Sequence, residues 1–314
     1  MICYIAKRLG QGAIVLWAAW TLSFILLQLL PGDAILIKFL DPSLGLSGDQ
    51  LAQIRKVYGE GSPLWQQYFS ALSTLLQGNL GYSIQLGVPV TEVLATNFPQ
   101  TLTLIIPSFF LAIVLGTGLA ILAWLPALKV LRNLLLSLPS LLVSLPVFWL
   151  GIVLIQLFSF QLHWVSVINR SPIGGMVLPV VTLAIPIAAP LAQIFMRSID
   201  HVRMQPFVTA ARARGLSQQR VLFRHVLRNA SLPLLTVAGL LLGELIAGAL
   251  VTETVFGLNG LGQVTQQAVD SQDVNVLQGV VMISAVAYVL INLLVDLLTP
   301  LLDPRLNIFR GEPT

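Results

Sequence analysis

Residues 207–252 read FVTAARARGLSQQRVLFRHVLRNASLPLLTVAGLLLGELIAGALVT, and they join a basic segment directly to an apolar one. The basic part belongs to a loop, residues 197–228, that carries seven Arg and a single acid, Asp200. The apolar part, residues 230–252, is long enough to cross a membrane, because about 20 apolar residues in a helix span the hydrocarbon core. This junction predicts a membrane helix that begins at a cytoplasmic loop.

The rest of the chain has the same character. Of its 314 residues, 56% are hydrophobic and only 10% are charged, which excludes an ordinary soluble enzyme and a disordered protein. Its single cysteine excludes an internal disulfide. We therefore predict an all-α polytopic membrane protein whose six membrane helices lie at about residues 9–32, 101–125, 134–160, 174–196, 230–252 and 274–298.

The cationic residues predict the orientation of these helices. With the amino terminus inside, all but four of the 17 Lys and Arg lie in cytoplasmic segments. The four on the outside are Lys38, Arg55, Lys56 and Arg170. This bias predicts that both termini are cytoplasmic, and it explains the net charge of +4 without a nucleic-acid partner.

The predicted spans divide the chain into four parts. Residues 1–32 form an amino-terminal cytoplasmic segment and the first span. Residues 33–98 are rich in turn signals and predict a small, partly helical insertion on the outside. Residues 99–303 form a core of five helices that includes the basic loop 197–229, and residues 304–314 form a cytoplasmic tail.

The basic loop has residues that typically begin and end short helices. Pro206 suits a first helical position, Gly215 suits the residue just past a helix end, and Ser217 suits the start of a second helix. Four residues of the first helix share one face by their spacing, namely Phe207, Ala210, Ala211 and Arg214.

The second helix of this loop carries a cationic stripe at Arg220, Arg224 and Arg228. Two interpretations of the arginines remain open at this point. They form a docking surface for a partner, or they only fix the topology and contact anionic lipid, at about 1 kcal/mol each.

The segment FVTAARARGLSQQRVLFRHVLRNASLP, residues 207–233, resembles the EAA loop of ABC importer permeases. That loop has a pair of small residues, a Gly four residues after the second of them, and a Leu-Pro at the following helix. Thr209 stands where the name-giving Glu often sits, a departure that is common in the peptide/nickel branch of the family. The matching residues are Ala210, Ala211, Gly215, Leu232 and Pro233.

Other segments resemble the same branch and extend the resemblance over nearly the whole chain. They are YIAKRLGQG with LLPGD, FPQTLTL, LPVFWLGIVL, LVTETVFGLNGLG and NLLVDLLTPLLDPRL. One departure is Leu258-Asn259, where family members often carry Trp-Pro. The resemblance implies the type I ABC importer permease fold in a bacterial inner membrane.

The resemblance also implies partners for this chain. They are a second, homologous permease in a heterodimer, two cytoplasmic ABC ATPase subunits, an extracytoplasmic solute-binding protein and membrane lipid. The chain has no G-x-x-x-x-G-K-[ST] motif, so we expect no cofactor on it and place ATP and Mg²⁺ in the ATPases. The residues expected to couple the permease to the ATPases are Pro206, Phe207, Thr209, Ala210, Ala211, Arg212, Arg214, Gly215 and Arg220.

Two acids lie in or near the fifth span. Glu244 is in its middle, where an unpaired carboxylate costs several kcal/mol, so we expect it to face the bundle interior or a water-filled path. It either lines the translocation pathway or makes an interior hydrogen bond to a neighbouring helix or to the partner permease. Glu253 is expected nearer the outer surface, as a further pathway candidate or a loop anchor.

The substrate is predicted from two features of the sequence. Glu244 and the short connection at residues 161–173 resemble nickel permeases more than dipeptide permeases, which favours nickel or a metal chelate. The alternative is import of dipeptides or oligopeptides by the same mechanism. An alternative from a different class is a stand-alone secondary transporter, for which we find no matched repeats. His163, His201 and His225 have no metal-ligand spacing.

Overall fold

The computed structural model describes residues 2–28, 63–124, 129–165 and 174–302, and it is helical almost throughout these ranges. Residues 29–62 of the expected insertion and the expected tail 304–314 lie outside the described residues. The α-helices in the described part are α1 (Ile2–Gln28), α2 (Leu64–Leu76), α3 (Val90–Leu122), α4 (Lys129–Val143), α5 (Val147–Leu154), α6 (Gly174–Arg203), α7 (Pro206–Ala213), α8 (Gln218–Val221), α9 (Leu227–Phe256), α10 (Leu261–Asp270) and α11 (Val274–Leu302). Two π-helical segments, Ile155–Gln161 and Leu222–Val226, continue α5 and α8.

Five helices in the described ranges are long and apolar enough to cross a membrane. The apolar stretches are Ile5–Gln28, Val90–Leu122, Gly174–Arg203, Thr236–Phe256 and Val274–Leu297. They correspond to the predicted first, second, fourth, fifth and sixth spans, and the all-α membrane fold is therefore confirmed.

The second span begins at Val90 and not at residue 101. Its first turns carry polar residues such as Glu92 and Asn97, which lower the hydropathy without breaking a helix. The apolar residues Val90, Val93 and Leu94 are buried and lie at i, i+3 and i+4, so these turns form an amphipathic extension of the span.

The third span was wrongly predicted as one helix over residues 134–160. The structure has two helical segments there, Val130–Val143 and Val147–Gln161, with a bend of 107° between them. They make a sixth span only if the two segments are counted together as one. Pro146 precedes α5 in an extended conformation, with ψ of 136°. Proline lacks a backbone donor and disfavours helical geometry in the residue before it, so the helix ends at this point although the hydropathy continues.

The described residues divide into two compact units. The first unit comprises Leu102–Phe256 and residues at the two ends of the chain. Within it, α6 packs against α4, α5 and α9. The helix α6 contains three prolines, Pro179, Pro186 and Pro190, and it continues through all of them. A Cβ on Gly116 of α3 would lie 2.8 Å from the backbone oxygen of Ala188, so these two helices approach as closely as a glycine allows.

The second unit comprises Ala6–Thr101 and Gly257–Val289. Here α2 contacts α1 through a hydrogen bond of 2.8 Å between the hydroxyls of Tyr68 and Thr21. The start of α10 is attached to α3, because the backbone N–H of Leu261 donates to the buried hydroxyl of Thr101 at 3.0 Å. The helix α2 gives the described part of the insertion the partly helical character that its sequence indicates.

Candidate functional site

The basic loop between α6 and α9 is folded as a helical hairpin, residues 206–221, which we call the α7–α8 hairpin. Its first helix begins with Pro206, and the preceding Gln205 is extended, with φ of −71° and ψ of 142°. A proline is favourable at this position because the first backbone N–H groups of a helix have no partner inside it. The predicted helix start is confirmed.

The first helix ends in a Schellman turn at Gly215. This residue has φ of +80°, a conformation that costs a side-chain-bearing residue about 1–2 kcal/mol. The backbone N–H of Gly215 donates to the carbonyl of Arg212 at 2.9 Å, and that of Leu216 donates to the carbonyl of Ala211 at 3.4 Å. These paired bonds satisfy carbonyls at the helix end and fix the direction in which the chain leaves it.

The second helix begins at Ser217, as predicted. Its side-chain oxygen accepts a hydrogen bond from the backbone N–H of Arg220 at 3.4 Å, which is the geometry of a helix N-cap. The helix continues through the π-helical segment Leu222–Val226 directly into α9. The predicted cationic stripe is accessible, because Arg220, Arg224 and Arg228 are all exposed.

The faces of α7 differ from the prediction in one respect. Val208 and Ala211 are buried, at 1% and 9% exposure, and so are Val221 and Leu222 of the following segment. Ala211 therefore belongs to the inner side of the hairpin and not to the outer face on which its spacing from Phe207 placed it. Of the predicted coupling residues, all but Ala211 are exposed, namely Pro206, Phe207, Thr209, Ala210, Arg212, Arg214, Gly215 and Arg220.

The burial of Val208 was not predicted from the sequence. Its signal was available, since Val208 and Ala211 lie at i and i+3, but the polar and small residues around it defined the competing face. The outer surface of the hairpin carries the ring of Phe207 beside small and cationic side chains.

The two acids of α9 have opposite environments. Glu244 is exposed, and within the described residues it makes no hydrogen bond to another helix of this chain. Glu244 is therefore not buried within this chain, and of the predicted alternatives a water-filled path and a contact with the partner permease are compatible with its exposure. Glu253, near the end of α9, is only 1% exposed, which is compatible with the predicted loop anchor.

A pocket of about 630 Å³ lies within the second unit. Carboxamide side chains dominate its polar lining, and Asp270 and Asp273 add two carboxylates. The carboxamides are those of Gln85, Asn97, Asn259, Gln263 and Gln267. No group of three or more His, Cys, Asp or Glu side chains is placed to hold a metal ion in the described ranges.

Comparisons with known proteins agree with these features. The family model described as "Binding-protein-dependent transport system inner membrane component" matches residues 112–308. A probable peptide ABC transporter permease of Sinorhizobium fredii is 33% identical, and the alignment covers 97% of this chain and 99% of that protein. The dipeptide transport system permease of Escherichia coli K12 is 31% identical, with 98% and 99% coverage.

A solved structure supports the fold. An inward-facing form of the methionine ABC transporter MetNI superposes with a TM-score of 0.54 at 18% identity, covering 67% of this chain and 96% of that chain. A match to the family model over most of the chain and relatives of full length establish the family. The chain belongs to the inner membrane components of binding-protein-dependent transport systems, as a permease of the peptide/nickel family of ABC importers.

Proposed function

We propose that this chain is the permease subunit of an importer for short peptides. The coarse function, membrane permease of an ABC importer, follows from the family, and the substrate class is our inference. The relatives named above are a probable peptide permease and a dipeptide permease. They favour the peptide alternative over nickel, which rested on Glu244 and on residues 161–173, most of which lie outside the described part.

The observation that supports coupling to an ATPase is the exposed outer face of α7. Thr209 and Ala210 are small, and small side chains allow a partner's backbone to approach closely. Arg212 and Arg214 are exposed beside them and would pair with acidic groups of the ATPase. The Schellman turn at Gly215 and the continuous path from α8 into α9 would carry a displacement of the hairpin to a membrane span.

The proposed assembly contains a second permease, two ATPases that bind ATP and Mg²⁺, and a solute-binding protein on the outside. Both termini of this chain would be cytoplasmic, in the inner membrane of a bacterium. Glu244 would face the pathway or the second permease, since it is exposed on this chain. There its carboxylate would attract the free amino group of a peptide.

The decisive experiment is uptake into proteoliposomes that contain this chain together with its second permease, its ATPases and its binding protein. We expect ATP-dependent uptake of a labelled dipeptide and no uptake of nickel under the same conditions. Uptake of nickel alone would contradict the peptide proposal and favour the nickel substrate that was predicted from the sequence. Uptake by this chain without ATPases would instead indicate a secondary transporter and contradict the proposed coupling.

A further inference from the structure

Two arginines stack on one tryptophan near the start of the α7–α8 hairpin. Trp124 follows the end of α3, and the guanidinium carbon of Arg203 lies 3.2 Å from the centroid of its ring. The guanidinium carbon of Arg132, on α4, lies 5.2 Å from the same ring. Both distances are within the range of cation–π interactions.

The charges around this tryptophan are not balanced. Because both arginines contact one ring, their guanidinium carbons are closer together than the Debye length of about 10 Å at 0.1 M salt. The charge of Arg212, on α7, also acts on Arg203. In the described part of the chain, Asp200 is the one acid that pairs with these arginines, and its carboxylate lies a long 3.9 Å from the guanidinium of Arg203.

One hydrogen-bond donor of the cluster is also without a partner. Stacking engages the face of a guanidinium and leaves its N–H groups at the edge available. The Nε of Arg132 is buried and has no hydrogen-bond partner in the described ranges. An anion with several acceptor oxygens would therefore satisfy both the excess charge and the free donors.

The position of the cluster indicates which anion is available. Arg203 is the last residue of α6, a helix long and apolar enough to cross a membrane, and tryptophan is enriched where membrane spans meet the aqueous phase. Arginine-rich positions at the inner boundary of a membrane face the phosphates of anionic lipids. A phosphoryl group also matches the planar donor fork of a guanidinium.

We propose that Arg132 and Arg203, which stack on Trp124, bind the phosphoryl head group of an anionic phospholipid. The bound head group reduces the repulsion between these two arginines. It also fixes the base of α7, because Arg203 lies three residues before Pro206, the first residue of that helix. Coupling through the hairpin thereby depends on the lipid composition of the membrane.

The test measures lipid retained by the purified transporter complex. The complex is delipidated in detergent and titrated with short-chain phosphatidylglycerol, with phosphatidylcholine or with inorganic phosphate, and the bound species are counted by native mass spectrometry. Arg132→Gln and Arg203→Gln are compared with wild type. Arg224→Gln is the matched control, since Arg224 is exposed on the same loop but is not part of the cluster.

We expect each cluster variant to retain phosphatidylglycerol about fivefold more weakly, the factor that corresponds to about 1 kcal/mol per arginine. The control variant and the weaker binding of phosphatidylcholine should be unchanged. Arg203→Lys keeps the charge and is included in case Arg203→Gln fails to fold. It should bind phosphatidylglycerol more tightly than Arg203→Gln but more weakly than wild type, because Lys lacks the planar fork.

Three results would overturn the proposal. Equal retention of phosphatidylglycerol by wild type and all variants would exclude the site. Binding of inorganic phosphate as tight as that of the lipid would assign the cluster to free phosphate. Loss of the ATPases from the cluster variants, with lipid binding unchanged, would assign the arginines to acidic groups of that partner.

Discussion

The hydroxyl of Ser83 donates a hydrogen bond of 2.6 Å to the carboxylate of Asp273, which is 190 residues away in sequence. The same carboxylate accepts the backbone N–H of Gln85 at 3.2 Å and that of Val276 at 3.4 Å. Asp273 is 1% exposed and precedes the first residue of α11. It therefore caps the last membrane span and holds the segment that leads into α3 against it.

Asp273→Ala should destabilise the protein by about 2 kcal/mol, because a helix cap and a charge-assisted hydrogen bond are lost together. The measurement is the thermal unfolding midpoint of the purified chain in detergent. Asp270→Ala is the control, since Asp270 is exposed on the neighbouring helix. An equal decrease of the midpoint in both variants would show that Asp273 has no special role.

Gly215→Val should abolish peptide uptake while the protein still inserts into the membrane. A β-branched residue resists the φ of +80° that the Schellman turn requires. Gly215→Asn should retain more uptake, because Asn tolerates left-handed geometry. Gly78→Val supplies the matched control, since Gly78 has φ of +79°, open space around it and a position outside the hairpin. Normal uptake by Gly215→Val would exclude a role of this turn in coupling.

The two alanines of α7 should respond differently to a bulky side chain. Ala210→Phe adds a ring on the exposed face, so we expect an unchanged unfolding midpoint but reduced stimulation of the ATPase. Ala211→Phe overfills the buried side of the hairpin and should cost about 1–3 kcal/mol of stability. The unfolding midpoint and the ATPase rate are measured for both variants. A stable but uncoupled Ala211→Phe variant would contradict the assignment of the faces.

Replacement of the two acids of α9 should also have different effects on stability and uptake. Glu244→Ala should leave the stability of this chain unchanged, since Glu244 is exposed and makes no hydrogen bond among the described residues. Uptake of a dipeptide with a free amino group should fall, and that of its N-acetylated form should not. Glu253→Ala should instead lower the unfolding midpoint, because buried polar groups cost about 1–3 kcal/mol when their partners are removed. Equal midpoints for the two variants would contradict this difference in environment.

Local signals predicted local structure well. Pro206, Gly215 and Ser217 act through the backbone of their own helix ends, so the residue type alone identified each position. The bend at Pro146 was missed because hydropathy continues across it, although the proline was visible in the sequence. Hydropathy measures which residues accept a lipid environment and not whether the backbone between them stays helical.

Features that depend on distant residues could not be predicted. Ala211 is buried, as are Val208, Val221 and Leu222, and spacing within α7 carries no information about which side of that helix the rest of the chain covers. The hydrogen bond between Ser83 and Asp273 and the stack of Arg203 on Trp124 join segments far apart in sequence. Glu244 shows the same limit. The free energy that a carboxylate costs in a membrane predicts that Glu244 needs a polar environment, but it does not say which molecule provides that environment.

The π-helical segment Leu222–Val226 has a consequence for how this transporter can change during evolution. A π-helical turn contains one residue more than the α-helical turn that it replaces. The wider turn takes up this surplus residue locally, so the helices before and after it can keep the faces that they bury. Gain or loss of one residue within Leu222–Val226, such as deletion of the exposed Phe223, would therefore exchange a π-helical turn for an α-helical one without redirecting the α7–α8 hairpin.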